Sequence, residues 1–507
     1  MRIFNRAVKM YLLRYKKTIA DIRKYSLYLQ DIELRKILNT PYFAPLDHKS
    51  FTGLAPSFYS DYQKDILQKI NKGTGLYQGI KTFAKSADTS MTGAKYIPTS
   101  QLFLLRNHVN AGWLTMSIMY ALKSDMDIIS KKNLLVGGAI YKSETDLTIA
   151  DISGLMIRNI PRIFHSYYVP SIEEATMPDW EEKLQVTAKK AAVNDIVMLA
   201  GVPTWILTLA TEVLKYSGKN NLSEVWPYLK VYLHGGVKFD PYKAQFKELL
   251  PTSNVLYLEV YNASEGFFAI QDTLVNHGLL LLTCHGIYYE FILFENYKKA
   301  DYYIINLAKV VPNMEYVMLI TTLSGLRRYV VGDTIIFTTI LPFRIKVKGR
   351  ISEYINAFGE DLTQEAANRA ITETLLKHNA HIRNYTVAPK YISLYEKGSH
   401  EWYIEFERSP CNIDIFKKEL DLCIQNYNFN YKQKRTNDLA ITELDIIELP
   451  KGFFNRFAKK RKKFGGQNKL PKLNNDRKLI SEIEKLLKIE DKNLRQNESR
   501  MAQRSTS

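Results

Sequence analysis

One stretch constrains this chain more than any other: Asn254–Asp272, NVLYLEVYNASEGFFAIQD. Val255, Tyr257, Glu259 and Tyr261 alternate with Leu256, Leu258 and Val260, a β-branched and aromatic run that predicts a largely buried strand. The strand is expected to stop at Asn262-Ala263-Ser264-Glu265-Gly266, five small or polar residues. In α/β proteins a ligand is most often held where the chain leaves the carboxyl end of a strand. This exit offers an amide, a hydroxyl and a carboxylate within four residues, flanked by Tyr261 and Phe267. Those groups suit a nucleotide: an aromatic wall for the base, polar groups for phosphate, and Glu265 as a hard oxygen ligand for Mg²⁺. They equally suit a capped turn, with Asn262 or Ser264 as a helix N-cap and Glu265 in the first helical turn.

A chain of 507 residues is too long for one core and implies a large domain with at least one smaller one. The longest apolar run, residues 196–210, is broken by Pro203 and falls short of a membrane span, and the start lacks the pattern of a signal peptide. Three widely spaced cysteines (Cys284, Cys411 and Cys423) match no metal pattern and point to a reducing, cytoplasmic setting. The net charge of +18 sits at the ends. Residues 1–37 carry ten Lys/Arg against three Asp/Glu, and residues 451–507 seventeen against six. A nucleic-acid-binding protein carries its basic stripe on the folded module, so nucleic acid is not expected as a partner. Phe4, Val8, Tyr11, Leu12, Tyr15, Ile19, Ile22, Tyr25 and Leu29 recur at mostly helical steps and predict an amphipathic helix over 3–36. Packing on its own domain is the first reading of that helix; weak attachment to a membrane surface through its basic face is the second.

Further elements follow in order. Residues 134–140 (LLVGGAI) read as a strand entering a Gly-Gly turn, and 180–191 as an amphipathic helix. Residues 195–216 read as a buried helix that includes GVPTW, with Pro203 suited to a first helical turn. Residues 230–237 read as a strand ending in His234-Gly235-Gly236, where His234 is assigned no chemistry. Residues 316–340 read as a hairpin turning at Ser324-Gly325, with a further strand at 342–348 and a helix at 364–377. The last residues, 491–507, are polar and expected to be disordered. No G-x-S-x-G elbow is present, which argues against serine hydrolysis.

YNASEGFFAIQD at 261–272, GVPTW at 201–205, EVWP at 224–227, HGGV at 234–237 and GGQNKLP at 465–471 occur in one order. Together they closely resemble the auxin-responsive Gretchen Hagen family of acyl-acid amido synthetases, part of the ANL superfamily of adenylate-forming enzymes. The resemblance runs from about residue 80 to residue 480. It implies an α/β fold: a large N-terminal adenylating domain with mixed β-sheets flanked by helices (1–350), a small mobile α+β C-terminal domain (351–480) and a basic tail (481–507). It implies an enzyme that uses ATP and Mg²⁺ to adenylate a carboxylic acid and passes the acyl group to an amine, an amino acid by family resemblance. A coenzyme A ligase or a non-catalytic binding descendant are the alternatives.

Carried over residue by residue, the family's roles fall as follows. The phosphate loop lies in Thr82–Pro98, with Ser86, Thr89, Ser90 and Lys95 on the phosphates; the family's loop glycine is here Asp88. A carboxylate 4 Å from phosphate costs on the order of 4 kcal/mol at a dielectric near 20, about a thousandfold in affinity, so either Asp88 points away, or it shares Mg²⁺ with the phosphates, or the loop binds ATP weakly. Tyr261 is expected against the adenine, with Gly235, Gly236, Asn262, Ala263 and Ser264 around the nucleotide and Asp333 and Arg350 on the ribose. Glu265 is the expected metal ligand, and Val202, Pro203, Thr204 and Trp205 the expected acyl-pocket wall. GLRRY at 325–329 replaces the family's G-L-W-R-Y, so Arg327 stands where an aromatic is usual. Residues 351–362, with Gly359 in a tight turn, match the loop that swings in for the second half-reaction. Lys469 is the expected transition-state lysine; seven Lys/Arg from Lys451 to Lys463 also fit a solvated basic loop.

Overall fold

The computed structural model describes residues 2–44, 46–72, 80–86, 95–123, 131–142, 147–237, 239–252, 254–275, 277–351, 354–355, 357–358, 360, 362–391, 398–435, 441–461 and 470–490. Asp88, Thr89, Ser90, Gly359, Lys469 and the tail from residue 491 lie outside them. The chain divides into two compact units, Met1–Ile351 and a second beginning at Ser352.

The first unit is built on a twelve-stranded sheet. Tyr168–Val169, Lys132–Leu135, Ile196–Ala200, Val231–Gly235 and Leu256–Ala263 are neighbours in that order, and every pairing among them is parallel. From Gly266–Ile270 onward every pairing is antiparallel, out to the edge strand Ile304–Asn306. Parallel strands need both faces covered. Along Val231–Gly235, Tyr232 points into a core with Trp226, Phe246 and the helices Trp180–Ala192 and Pro203–Ser217. Val231 and Leu233 point into the opposite core, under the helix Asn110–Leu122 and the first half of Arg2–Leu38. This period of two is what a doubly covered strand requires.

The long first helix takes the packed course, kinking at Tyr25 and burying Leu12, Tyr15, Ile19 and Ile22. Arg23 reaches Asp272, whose carboxylate also receives Arg344 through both oxygens at 2.8–3.1 Å. No helix among the described residues is long and apolar enough to cross a membrane.

Two readings of the sequence are corrected. Residues 196–200 are a strand, not the start of a helix; the helix begins at Pro203. A short, wholly apolar run has no period by which to separate the two, and parallel pairing on both sides decides it. The strand Leu256–Ala263 also continues through Asn262 and turns in two residues, Ser264-Glu265, into Gly266–Ile270, with Ala263 opposite Gly266. The exit is a β-hairpin, and the helix-cap option is gone.

The second unit pairs His381–Lys390, Ser399–Arg408 and Asp445–Leu449 in one sheet and packs the helices Gln364–Lys377 and Ile413–Tyr427 over a core containing Trp402, Ile404 and Phe416.

Candidate active site

The parallel strands all end on one side, and the residues just past their carboxyl ends line one cavity of about 330 Å³ in the first unit. Val136-Gly137-Gly138, Gly201-Val202, Gly235-Gly236 and Asn262–Glu265 supply that wall from four neighbouring strands. Such a row of strand ends is where an α/β sheet takes its ligand. Gly235 has to be glycine, because a Cβ there would lie 2.4 Å from the Val260 carbonyl oxygen.

One end of the cavity is polar, with Lys95, Ser264, Glu265, Asp333 and Arg350 around it. Asp333 and Arg350 face each other across adjacent strands, Oδ1 to Nε at 3.5 Å. The Tyr261 hydroxyl donates to Asp333 Oδ2 at 2.6 Å. Burial, and then the Asp333 charge, push the Tyr261 phenol well above its ordinary pKa, so it stays a donor. Glu265 is 5% exposed, and burial raises its carboxyl above the ordinary carboxylate range, opposed chiefly by the positive charge of Lys95. The Tyr329 hydroxyl donates to Glu265 Oε1 only at 3.5 Å. A buried carboxylate so weakly compensated fits a cation. One carboxylate with phosphate oxygens and water is an ordinary Mg²⁺ shell, and no cluster of three or more His, Cys, Asp or Glu among the described residues offers a protein-only cage.

The hairpin is held from behind by Asn107, fully buried, whose Oδ1 accepts from the Phe267 N–H at 2.6 Å and whose Nδ2 donates to the His285 carbonyl at 2.9 Å. Asn107 lies in a one-turn π-helical segment, Leu105–Val109, and such bulges recur at functional sites. His234 also touches the cavity, but burial depresses it to about 4 and its ring stacks on Phe239 at 4.3 Å. It is neutral at working pH.

Away from these charges the lining is mostly apolar, with Val109, Trp113, Met116, Met156, Ile157 and Met198, and the uncharged Thr115, Ser153 and Asn159 among them. Most of this wall comes from the helix Asn110–Leu122 and the helix Ile152–Arg158, which motif reading missed. The available signal was the Ala-Gly-Trp at 111–113 inside an otherwise apolar helix.

Lys95, Gly235, Gly236, Asn262, Ala263, Ser264, Glu265, Asp333, Arg350 and Val202 all line the cavity as expected positions. Several others do not. Tyr261 is in the core beneath it, tilted against Phe268 at 4.9 Å, because its place in the strand turns the ring into the sheet's buried face. Pro203, Thr204 and Trp205 belong to the helix behind the wall, where Trp205 packs edge-on against Trp180 at 4.2 Å. Arg327 is tied away from the site, donating to the Tyr42 carbonyl at 2.6 Å. Ser86 ends a strand opposite Lys95, while Thr89 and Ser90 lie outside the described residues.

Family models match three successive parts of the chain: the GH3 family N-terminal domain at 140–255, its central domain at 280–350 and its C-terminal domain at 364–478. The chain belongs to the GH3 family. Among curated relatives, the indole-3-acetic acid-amido synthetase GH3.3 of Arabidopsis thaliana is 22% identical over 273 residues, 48% of this chain and 44% of the relative. The chain thus matches under half the length of that GH3 protein. The solved GH3.15 acyl acid amido synthetase superposes with a TM-score of 0.74 at 17% identity, covering 92% of this chain and 94% of that one. A 2-hydroxyisobutyryl-CoA ligase superposes with a TM-score of 0.55 at 11% identity, over 94% and 91%. The α/β architecture is therefore that of the GH3 proteins and is shared with adenylate-forming ligases.

Proposed function

We propose that this GH3 protein is an ATP-dependent acyl-acid amido synthetase that adenylates a carboxylic acid and transfers the acyl group to an amine, an amino acid by family resemblance. The observation that carries the reading is the joining, in one cavity, of an apolar compartment to a polar one holding Glu265, Lys95, Asp333 and Arg350. An acid needs the first and a nucleotide the second, and their junction is where the carboxylate would meet the α-phosphate.

In this reading Asp333, braced by Tyr261 and Arg350, accepts the ribose hydroxyls, and Lys95 stands against phosphate charge. Gly235 and Gly236 let the backbone approach the base. Glu265 would hold Mg²⁺, which supplies charge neutralisation at the phosphates. The protein's own contribution is positioning and a preorganised field rather than a covalent intermediate. An amine then attacks the acyl carbonyl of the adenylate, and AMP leaves with the carbonyl–oxygen bond broken. Thr89, Ser90 and Lys469 keep their proposed phosphate and transition-state roles on family resemblance alone, as does the division at 350/351; a cytoplasmic setting rests on cysteine usage. Acid-dependent release of pyrophosphate from Mg·ATP tests the first step; products formed with amino acids and with coenzyme A test the second. Thioester in place of amide would make the protein an acid–thiol ligase.

A further inference from the structure

The wall of the apolar compartment contains a glycine that the protein's own packing does not require. Val109, Gly112, Trp113 and Met116 follow at helical spacing along one face and line the cavity. Gly112 lies inside the helix Asn110–Leu122, where glycine is the least favourable residue after proline. Its φ is not positive, so the backbone makes no demand for it. Nor does close packing. A Cβ on Gly138 would come within 2.1 Å of Asp151, and one on Gly154 within 2.9 Å of the Ala139 carbonyl, whereas a Cβ on Gly112 meets only Met156 Cε, at 3.9 Å. Glycine here leaves room, and the room is cavity.

We propose that Gly112 sets the size of the acid, the missing side chain being the space taken by the acid's body. This rests on the cavity binding a carboxylic acid, as argued above. The cations lining the cavity, Lys95 and Arg350, sit at the polar end beside Glu265 and Asp333. The compartment bordered by Gly112, Trp113, Met116 and Met156 carries no charged side chain and therefore selects an uncharged, largely apolar body, bulkier than the methyl of acetate.

The test is ATP–pyrophosphate exchange driven by acetate, butyrate, hexanoate and phenylacetate, on the wild type, Gly112→Ala and Gly112→Leu, with phenylacetate binding followed calorimetrically in parallel. The wild type should prefer phenylacetate or hexanoate to acetate. The ratio of kcat/KM for phenylacetate over acetate should fall a few-fold in Gly112→Ala and roughly 10- to 100-fold in Gly112→Leu, the range expected from crowding a packed site. The alanine variant has space for its methyl and decides the matter if the leucine variant does not fold. Exchange by all three proteins with an unchanged ratio overturns the inference and leaves the synthetase reading standing. No exchange with any acid, but phenylacetate binding that weakens from Gly to Ala to Leu, keeps the inference and overturns the synthetase reading. A wild type that neither exchanges nor binds these acids, or that prefers acetate, overturns the inference.

Discussion

Replacing Tyr261 by Phe separates two roles for a residue that the motif alone would place against the adenine. Phe keeps the ring and its packing on Phe268 and removes only the hydroxyl that meets Asp333 Oδ2 at 2.6 Å. Losing a hydrogen bond to a charged group costs about 1.5–3 kcal/mol, or roughly 10- to 150-fold in an equilibrium constant. Arg350 still faces the other carboxylate oxygen at 3.5 Å, so some orientation survives and the expected loss is near the lower end, roughly tenfold. Calorimetric titration with ATP and with 2′,3′-dideoxy-ATP reads it out. ATP affinity should drop in Tyr261→Phe, and the drop should vanish for the nucleotide that lacks the ribose hydroxyls. Unchanged ATP affinity would show the hydroxyl to be idle, and an equal loss for both nucleotides would refute a path through Asp333.

Three further outcomes are expected. Glu265→Gln should abolish acid-dependent pyrophosphate release without lowering the melting temperature near neutral pH. A carboxyl raised by burial stabilises the fold below its ordinary pKa, and that stabilisation is lost as pH rises through the raised value, so removing the charge relieves a cost. For the same reason Mg²⁺-dependent nucleotide binding should weaken on acidification at a higher pH than an ordinary glutamate would give, with His234, depressed to about 4, contributing only at the acid extreme. Asp272→Ala should lower stability by about 3–5 kcal/mol in denaturant titration, because it strands the buried Arg344 guanidinium. Asp88→Gly, by sequence electrostatics alone, should tighten ATP binding by roughly ten- to a hundredfold.

Three of the five parallel strands and most of the polar part of the site were legible in the sequence, because strand ends followed by small residues leave a local trace; Tyr168–Val169 and Ile196–Ala200 were not. His234-Gly235-Gly236 and Asn262–Glu265 are both such ends. What it could not decide locally was whether Ser264-Glu265 caps a helix or turns a hairpin. The answer lies in the pairing of Phe267 with Asn262, where the apolar run Phe267–Ile270 finds an antiparallel partner. The Tyr261 assignment failed for a related reason: alternation gives two faces but does not say which one meets the ligand. The apolar wall was hard to read because a helix buried on both sides has no polar stripe to orient it, so beyond the Ala-Gly-Trp at 111–113 nothing in Asn110–Leu122 marks the side that carries Gly112 and Met116. Contacts such as Arg23 with Asp272, 249 residues apart, have no local signature at all.

The central claim, acid activation on ATP followed by amide formation, is met most directly by mass analysis of a single reaction. Protein, Mg·ATP, a panel of apolar carboxylic acids, an amino-acid mixture and coenzyme A would be combined, and pyrophosphate, AMP and acyl products followed together. The account predicts AMP and pyrophosphate released only when acid is present, with an N-acyl amino acid as the product. Acid-independent release, no release with any acid, or acyl thioester as the sole product would contradict it.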